Sequence, residues 1–179
     1  LPIFLAAIGV LAIAAAIAGA VYFFAGFYDV AAAGGGNPAV EWVVRNVREA
    51  SVDRHMQAPP QPQWFSKPET VQAGAHEFVE EGCVRCHGAP GVKPDKFAAG
   101  MDPMPPDLGE ATKDDEPKHI FWIVEHGIRM TGMPAFGAHT PKDDIWKLVA
   151  FLKQMHTVQP EQFKEWAAEG EQPGLTSSQ

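Results

Sequence analysis

No charged residue occurs between Leu1 and Tyr28, and Asp29 is the first. That run restricts the chain more than any other feature. A helix that is apolar all round has to be enclosed by protein or by lipid. At about 1.5 Å rise per residue, Leu1–Phe27 would reach roughly 40 Å, more than the roughly 30 Å of a bilayer's hydrocarbon core, so a tilted span fits. Tyr22, Phe23, Phe24, Phe27 and Tyr28 gather at one end, where interfacial aromatics belong. A buried core helix would be shorter. A cleavable export signal is the more serious rival, because "DVAAAGGG" offers small residues to a peptidase. The length of the run favours an anchor, and residues 1–28 are expected to be a single transmembrane helix.

Fourteen Lys and Arg against 22 Asp and Glu give a formal net charge of −8, all of it outside the anchor. No basic stripe interrupts this acidity, which excludes nucleic acid as a partner. An acidic face can steer a basic protein, or it is simply solvated.

Beyond the anchor, residues 29–67 read as a linker, an amphipathic helix and a strap. "DVAAAGGGN" is a flexible exit. Asn37 offers an N-cap with Pro38 next, and a helix follows through Met56. Its apolar members are Trp42, Val43, Val47 and Val52, with Arg45, Arg48 and Arg54 beside them. It lies on the bilayer, on a partner subunit or on its own domain. Pro59, Pro60, Pro62 and Pro68 make "QAPPQPQWFSKP" an extended strap. Helices are predicted at Glu69–Glu81, at 117–130, after a Thr140 cap and over "QPEQFKEWAAEG". Residues 88–116, dense in Gly and Pro, read as one long irregular loop, and 171–179 as a polar tail. No segment alternates like a strand, so the fold class is all-α.

The chain has two cysteines, Cys83 and Cys86, in "CVRCH", with His87 behind them. A structural zinc site needs four ligands, and the other six histidines are scattered singly. A thioredoxin-like pair needs a βαβ setting, and strands are lacking. The remaining reading is covalent haem attachment, with each thiol bonded to a vinyl group and His87 held under the iron. Opposite His87, the candidate ligand is Met133, in the loop "RMTGMPAFG" between two predicted helices. Met130 is expected in the core, Met101 and Met104 are weaker ligand candidates, and His126 matters only if Met133 does not bind.

The segment from about Pro68 to Thr157 resembles a class I monohaem cytochrome c. Gly74 and Phe78 match the small–aromatic pair by which that family's first helix meets its last, and Leu148 and Phe151 match the facing pair. "PMPPDLG" resembles the loop whose proline carbonyl accepts a hydrogen bond from the proximal histidine, so Pro105 or Pro106 would serve His87. One departure is the five-residue step from Phe78 to Cys83 instead of the commoner four, which calls for an extra turn residue, Gly82. The strap, "FWIVEHGIRMTGMPAFG" and "DDIWKLVAFL" are similar to membrane-anchored bacterial single-haem cytochromes of electron-transport chains.

That resemblance implies a haem domain over 68–157, a short helix and tail over 158–179, and one covalently held haem c whose iron is bound by His87 and Met133. It implies an electron carrier, not an enzyme, with no small-molecule substrate. The alternative is a haem enzyme or gas sensor whose sixth ligand is labile or absent. The domain is expected in the periplasm of a bacterium, on an inner-membrane anchor among lipid and protein redox partners. The surface around Cys83, Cys86 and the 131–137 loop would form the contact patch, with Thr131, Pro134, Ala135 and Phe136 as its small or apolar members. The span, strap and tail favour a subunit that drapes over its neighbours, in or beside a respiratory or photosynthetic complex.

Overall fold

The computed structural model describes residues 1–169. Among them the regular structure is α-helix and short 3-10 turns, with one isolated bridge between Ala89 and Val92 and no strand. Helix α1 (Pro2–Phe24) is long and apolar enough to cross a membrane, and no residue of it is buried. It stops three residues short of Phe27 because Gly26 turns left-handed, at φ 81°. The chain folds back there, and the rings of Tyr22, Phe23, Phe27 and Tyr28 cluster with centroids 5.3–6.5 Å apart. At about 1.5 Å per residue, its 23 residues still reach roughly 35 Å. The linker is not featureless, since Ala32–Gly34 forms a 3-10 turn.

Helix α2 (Pro38–His55) starts as its sequence requires. Asn37 Oδ1 accepts a hydrogen bond from the Ala39 amide at 2.9 Å, and Pro38 occupies the first turn. Val52 is its one buried residue, on the side that meets α6. Val43 and Val47 lie on roughly the opposite side at about 100° per residue, and both are exposed, as is Trp42. The strap then runs without regular structure from 56 to 62. Phe65 ends it by inserting edge-on against Trp146, with centroids 5.7 Å apart.

The core is built by α3 (Pro68–Glu80), α6 (Pro117–His126), α7 (Lys142–Gln154) and α8 (Pro160–Glu169). Apolar residues at helical spacing supply it: Val71, Ala75 and Phe78 from α3, and Ile145, Leu148, Val149 and Leu152 from α7. Helices α3 and α7 cross where Gly74 lies against the Lys147 carbonyl, a space that any Cβ would overlap. Phe78 and Phe151 fill the crossing at 5.4 Å, Phe163 of α8 stacks on Phe151 at 5.8 Å, and Phe121 of α6 packs on Trp146 at 4.5 Å.

Several expectations need correction. Helix α6 ends at His126, not near 130, because Gly127 adopts φ 64° and the chain leaves the helix axis. Met130 therefore lies outside it, 90% exposed at φ 63°, and is not core. Thr140 does not cap α7. Its hydroxyl donates to Glu81 at 2.6 Å, and Pro141 takes the cap position with no side-chain bond. The 88–116 segment holds a 3-10 turn (Lys96–Gly100) and a short helix α5 (Leu108–Ala111) capped by Asp107. The polar tail 171–179 lies outside the described residues.

Candidate functional site

Helix α3 caps at Glu81, and Gly82 follows at φ 74°. That left-handed residue costs a glycine little and other residues about 1 kcal/mol or more. It lets the chain start a new helix at once, α4 (Cys83–His87), and it is the extra turn residue that the spacing called for. On a helix, positions i, i+3 and i+4 share a face. Cys83, Cys86 and His87 therefore project from one side of a single turn.

Both cysteines are free thiols, half-buried. Burial first, and then the Glu81 carboxylate, push the Cys83 thiol up to about 12, so it stays protonated at neutral pH. His87 Nδ1 stands 2.9 Å from the Pro106 carbonyl oxygen. A carbonyl can only accept, so Nδ1 carries the proton and Nε2 keeps its lone pair. Burial lowers the His87 pKa, partly opposed by that bond. The ring is thus held neutral, in the tautomer suited to metal ligation through Nε2.

Arg85, between the two cysteines, braces the following loop. Its Nε donates to Asp95 at 3.0 Å, its carbonyl accepts from the Asp95 amide at 2.8 Å, and its guanidinium lies over the Phe97 ring at 5.4 Å. Beside it a groove of about 700 Å³ is bordered by Cys86, His87, Pro105, Met155 and Pro160. Met133 and Cys83 are not among its lining residues.

Met133 belongs to a closed turn that springs from Gly127. Its amide donates to Thr131 Oγ1 at 3.2 Å, the Thr131 hydroxyl donates to the Ile128 carbonyl at 2.7 Å, and the Ile128 amide reaches the Met133 carbonyl at 3.3 Å. Its side chain is half-buried against the core. Met104 is 68% exposed, whereas Met101 is half-buried with its methyl against Gly132. His126 stacks on Trp122 at 4.6 Å and donates through Nδ1 to the Trp122 carbonyl at 3.0 Å. Among the described residues, no group of three or more His, Cys, Asp or Glu converges as a metal cluster.

The expected contact patch is smaller than predicted. Pro134 and Ala135 are exposed and Thr131 is half-buried, but Phe136 turns inward. Two groups escaped the sequence reading. Glu81 accepts from Thr140 at 2.6 Å and pairs with His139 at 3.1 Å, tying the start of α4 to the start of α7 across 58 residues. Arg85–Asp95 is the second, hinted at only by opposite charges ten apart.

Residues 69–152 match the family model described as cytochrome C oxidase, cbb3-type, subunit III. This segment is a cytochrome c domain. The match runs from the first turn of α3 to the last of α7 and includes every candidate side chain above. No curated protein and no solved structure matches the chain. A cytochrome c domain implies covalently bound haem c and haem-based electron transfer. The donor set fits that group, with two unpaired thiols and an imidazole on one helical turn and Nε2 left free by the bond at Nδ1.

Proposed function

We propose that the chain is a single-electron carrier with one haem c, which Cys83 and Cys86 would tether and whose iron His87 and Met133 would bind. The observation that carries this reading is the His87–Pro106 bond, because it fixes the ring and presents a basic Nε2 on the face that holds both thiols. When bound, the haem iron supplies a ferric–ferrous couple that takes up and releases one electron. With His87 and Met133 as its two protein ligands, the iron would have no position left for a substrate. The Met thioether raises the reduction potential relative to a second imidazole. The two thiols fix the group against the fold, and the exposed Pro134 and Ala135 offer a small apolar surface of the kind used in brief encounters between redox proteins.

Helix α1 supports a single-pass anchor, which would hold the domain near membrane partners and raise its effective concentration there. Haem attachment on the export side puts the domain in the periplasm of the bacterial inner membrane. The matching family is described as a subunit of an oxidase, which supports a place in or beside a respiratory complex. Two cysteines in the chain allow one attachment motif, hence one haem.

Absorbance tests the ligation. Ferric protein with a Met–iron bond shows a weak far-red band, and Met133→Ala should abolish it. A wild-type protein without the band, binding carbon monoxide rapidly when ferrous, would be an enzyme or sensor and not a carrier.

A further inference from the structure

We infer that Met101 is a positioning residue for Met133, clasping the ligand loop at Gly132. A Cβ built on Gly132 would overlap the Met101 methyl, with the Met101 sulfur 3.6 Å away. The Met101 side chain thus sits on the residue next to Met133. It is half-buried there, although its neighbour Met104 and the loop's own Met130 are exposed. An unbranched, polarizable thioether suits such an irregular contact better than a branched side chain.

The contact matters because of what lies on either side of it. On one side, the Ile128–Met133 turn is closed by the Ile128 amide, the Thr131 hydroxyl and the Met133 amide. A push on Gly132 therefore passes directly to Met133. On the other side, Met101 ends the 3-10 turn Lys96–Gly100, its amide bonded to the Ala98 carbonyl at 3.2 Å, and Ala98 is buried. That turn is held through Asp95 to Arg85, which lies between Cys83 and Cys86. An unbroken path of contacts runs from the attachment helix through Arg85, Asp95, Ala98 and Met101 to Gly132. It links the helix that carries His87 to the loop that carries Met133. The glycine at 132 is what admits Met101.

This inference rests on Met133 being the axial ligand, and the test separates the two. Haem-loaded full-length Met101→Ala, Met101→Leu, Gly132→Ala and Met133→Ala proteins are compared by their far-red band and by imidazole binding to the ferric form. Folding is checked by far-ultraviolet circular dichroism. Met101→Ala should keep the band yet bind imidazole about tenfold faster, since a loosened loop releases Met133 more often, and Met101→Leu should return to within about twofold of wild type. Gly132→Ala should move the same way as Met101→Ala by displacing the methyl. If Met133→Ala loses the band while imidazole binding by Met101→Ala equals wild type, the clasp is overturned and the ligand reading stands. If Met133→Ala keeps the band and both Met101 variants lose it, Met101 is itself the ligand and both readings fall.

Discussion

Alanine at position 74 tests whether backbone contact sets the α3–α7 crossing. A Cβ there would overlap the Lys147 carbonyl oxygen and stand 2.6 Å from the Lys147 carbonyl carbon and 2.9 Å from Phe151 Cβ. Ordinary carbon–carbon contact lies at about 3.5–4.0 Å, so the helices would have to separate by roughly 1 Å. Neither obstacle can swing aside. One is backbone in the middle of α7, and the other belongs to a residue with no exposed surface. Phe78, Leu148 and Phe151 pack the same crossing with at most 1% exposure, so separation opens gaps around three large side chains. Overpacking costs about 1–3 kcal/mol, and with both partners fixed the upper end applies, about 3 kcal/mol. Alanine returns about 1 kcal/mol of helix propensity. The net loss of about 2 kcal/mol should lower the melting temperature by roughly 8–16 °C for a domain of this size. Thermal unfolding of haem-loaded full-length protein in detergent, followed by far-ultraviolet circular dichroism, measures it. A Gly74→Ala protein that melts at or above the wild-type temperature would refute the reasoning, since propensity alone would then be deciding the outcome.

Two further substitutions probe the electrostatics around that crossing. Burial, followed by the nearby Asp144 carboxylate, raises the Glu77 pKa, so the folded state binds a proton more readily than the unfolded one. Stability from this group is then present below the ordinary carboxylate pKa and is lost as pH rises through the raised value. Glu77→Gln should accordingly stabilise the domain at pH 7 and not at pH 4, and denaturant titration at the two pH values checks it. Lys153 donates to the carbonyls of Thr112, Lys113 and Asp115 at 3.0, 2.6 and 2.6 Å. Lys153→Met, which keeps the stem and removes the donors, should cost about 2 kcal/mol. Amide exchange should rise at 112–116 first, and an unchanged exchange pattern there would show that the ammonium is dispensable.

How legible this was depended on whether a feature was local. The Asn37–Pro38 start of α2 involves adjacent residues, and the structure has it as read. Gly82 was legible because the step from Phe78 to Cys83 is one residue longer than is common in the family the segment resembles, and a left-handed glycine is the cheapest way to absorb it. Gly74 could be read because the resemblance to class I cytochromes c supplies the small–aromatic pair, and both of its members lie within α3. Several of the failures involve partners beyond a residue's own helix. Thr140 looks like a cap when only its own neighbours are considered, but its hydroxyl donates its hydrogen bond to Glu81, 59 residues earlier. Met130 follows an apolar run that has the period of a helix, yet Gly127 ends that helix so that its Cα can lie against Pro134 and Ala135. Pro105 and Pro106 are equivalent in sequence, and only the approach of the His87 ring selects the carbonyl of the second.

The division of labour between cross and loops bears on what the domain can do. On the proposed reading, electron exchange asks His87 and Met133 to keep one geometry in two oxidation states, so their supports have to be stiffer than the perturbation of an added charge. His87 leaves α4 directly after α3, and Met133 leaves a turn directly after α6. Each of these proposed ligands is therefore within a few residues of a helix packed on α7, whose buried face runs unbroken from Ile145 to Leu152 apart from Lys147. Sites carried by rigid elements hold position better than sites at the tips of long loops. The 88–116 segment would undo this if it hung free. Arg85, Lys153 and the Thr112 hydroxyl fasten it at three points, the last by donating to the Leu152 carbonyl at 3.0 Å. None of these fastenings involves α1 or α2. The 88–116 segment is thus fastened within the cytochrome c domain itself, and α1 could tilt without loosening it.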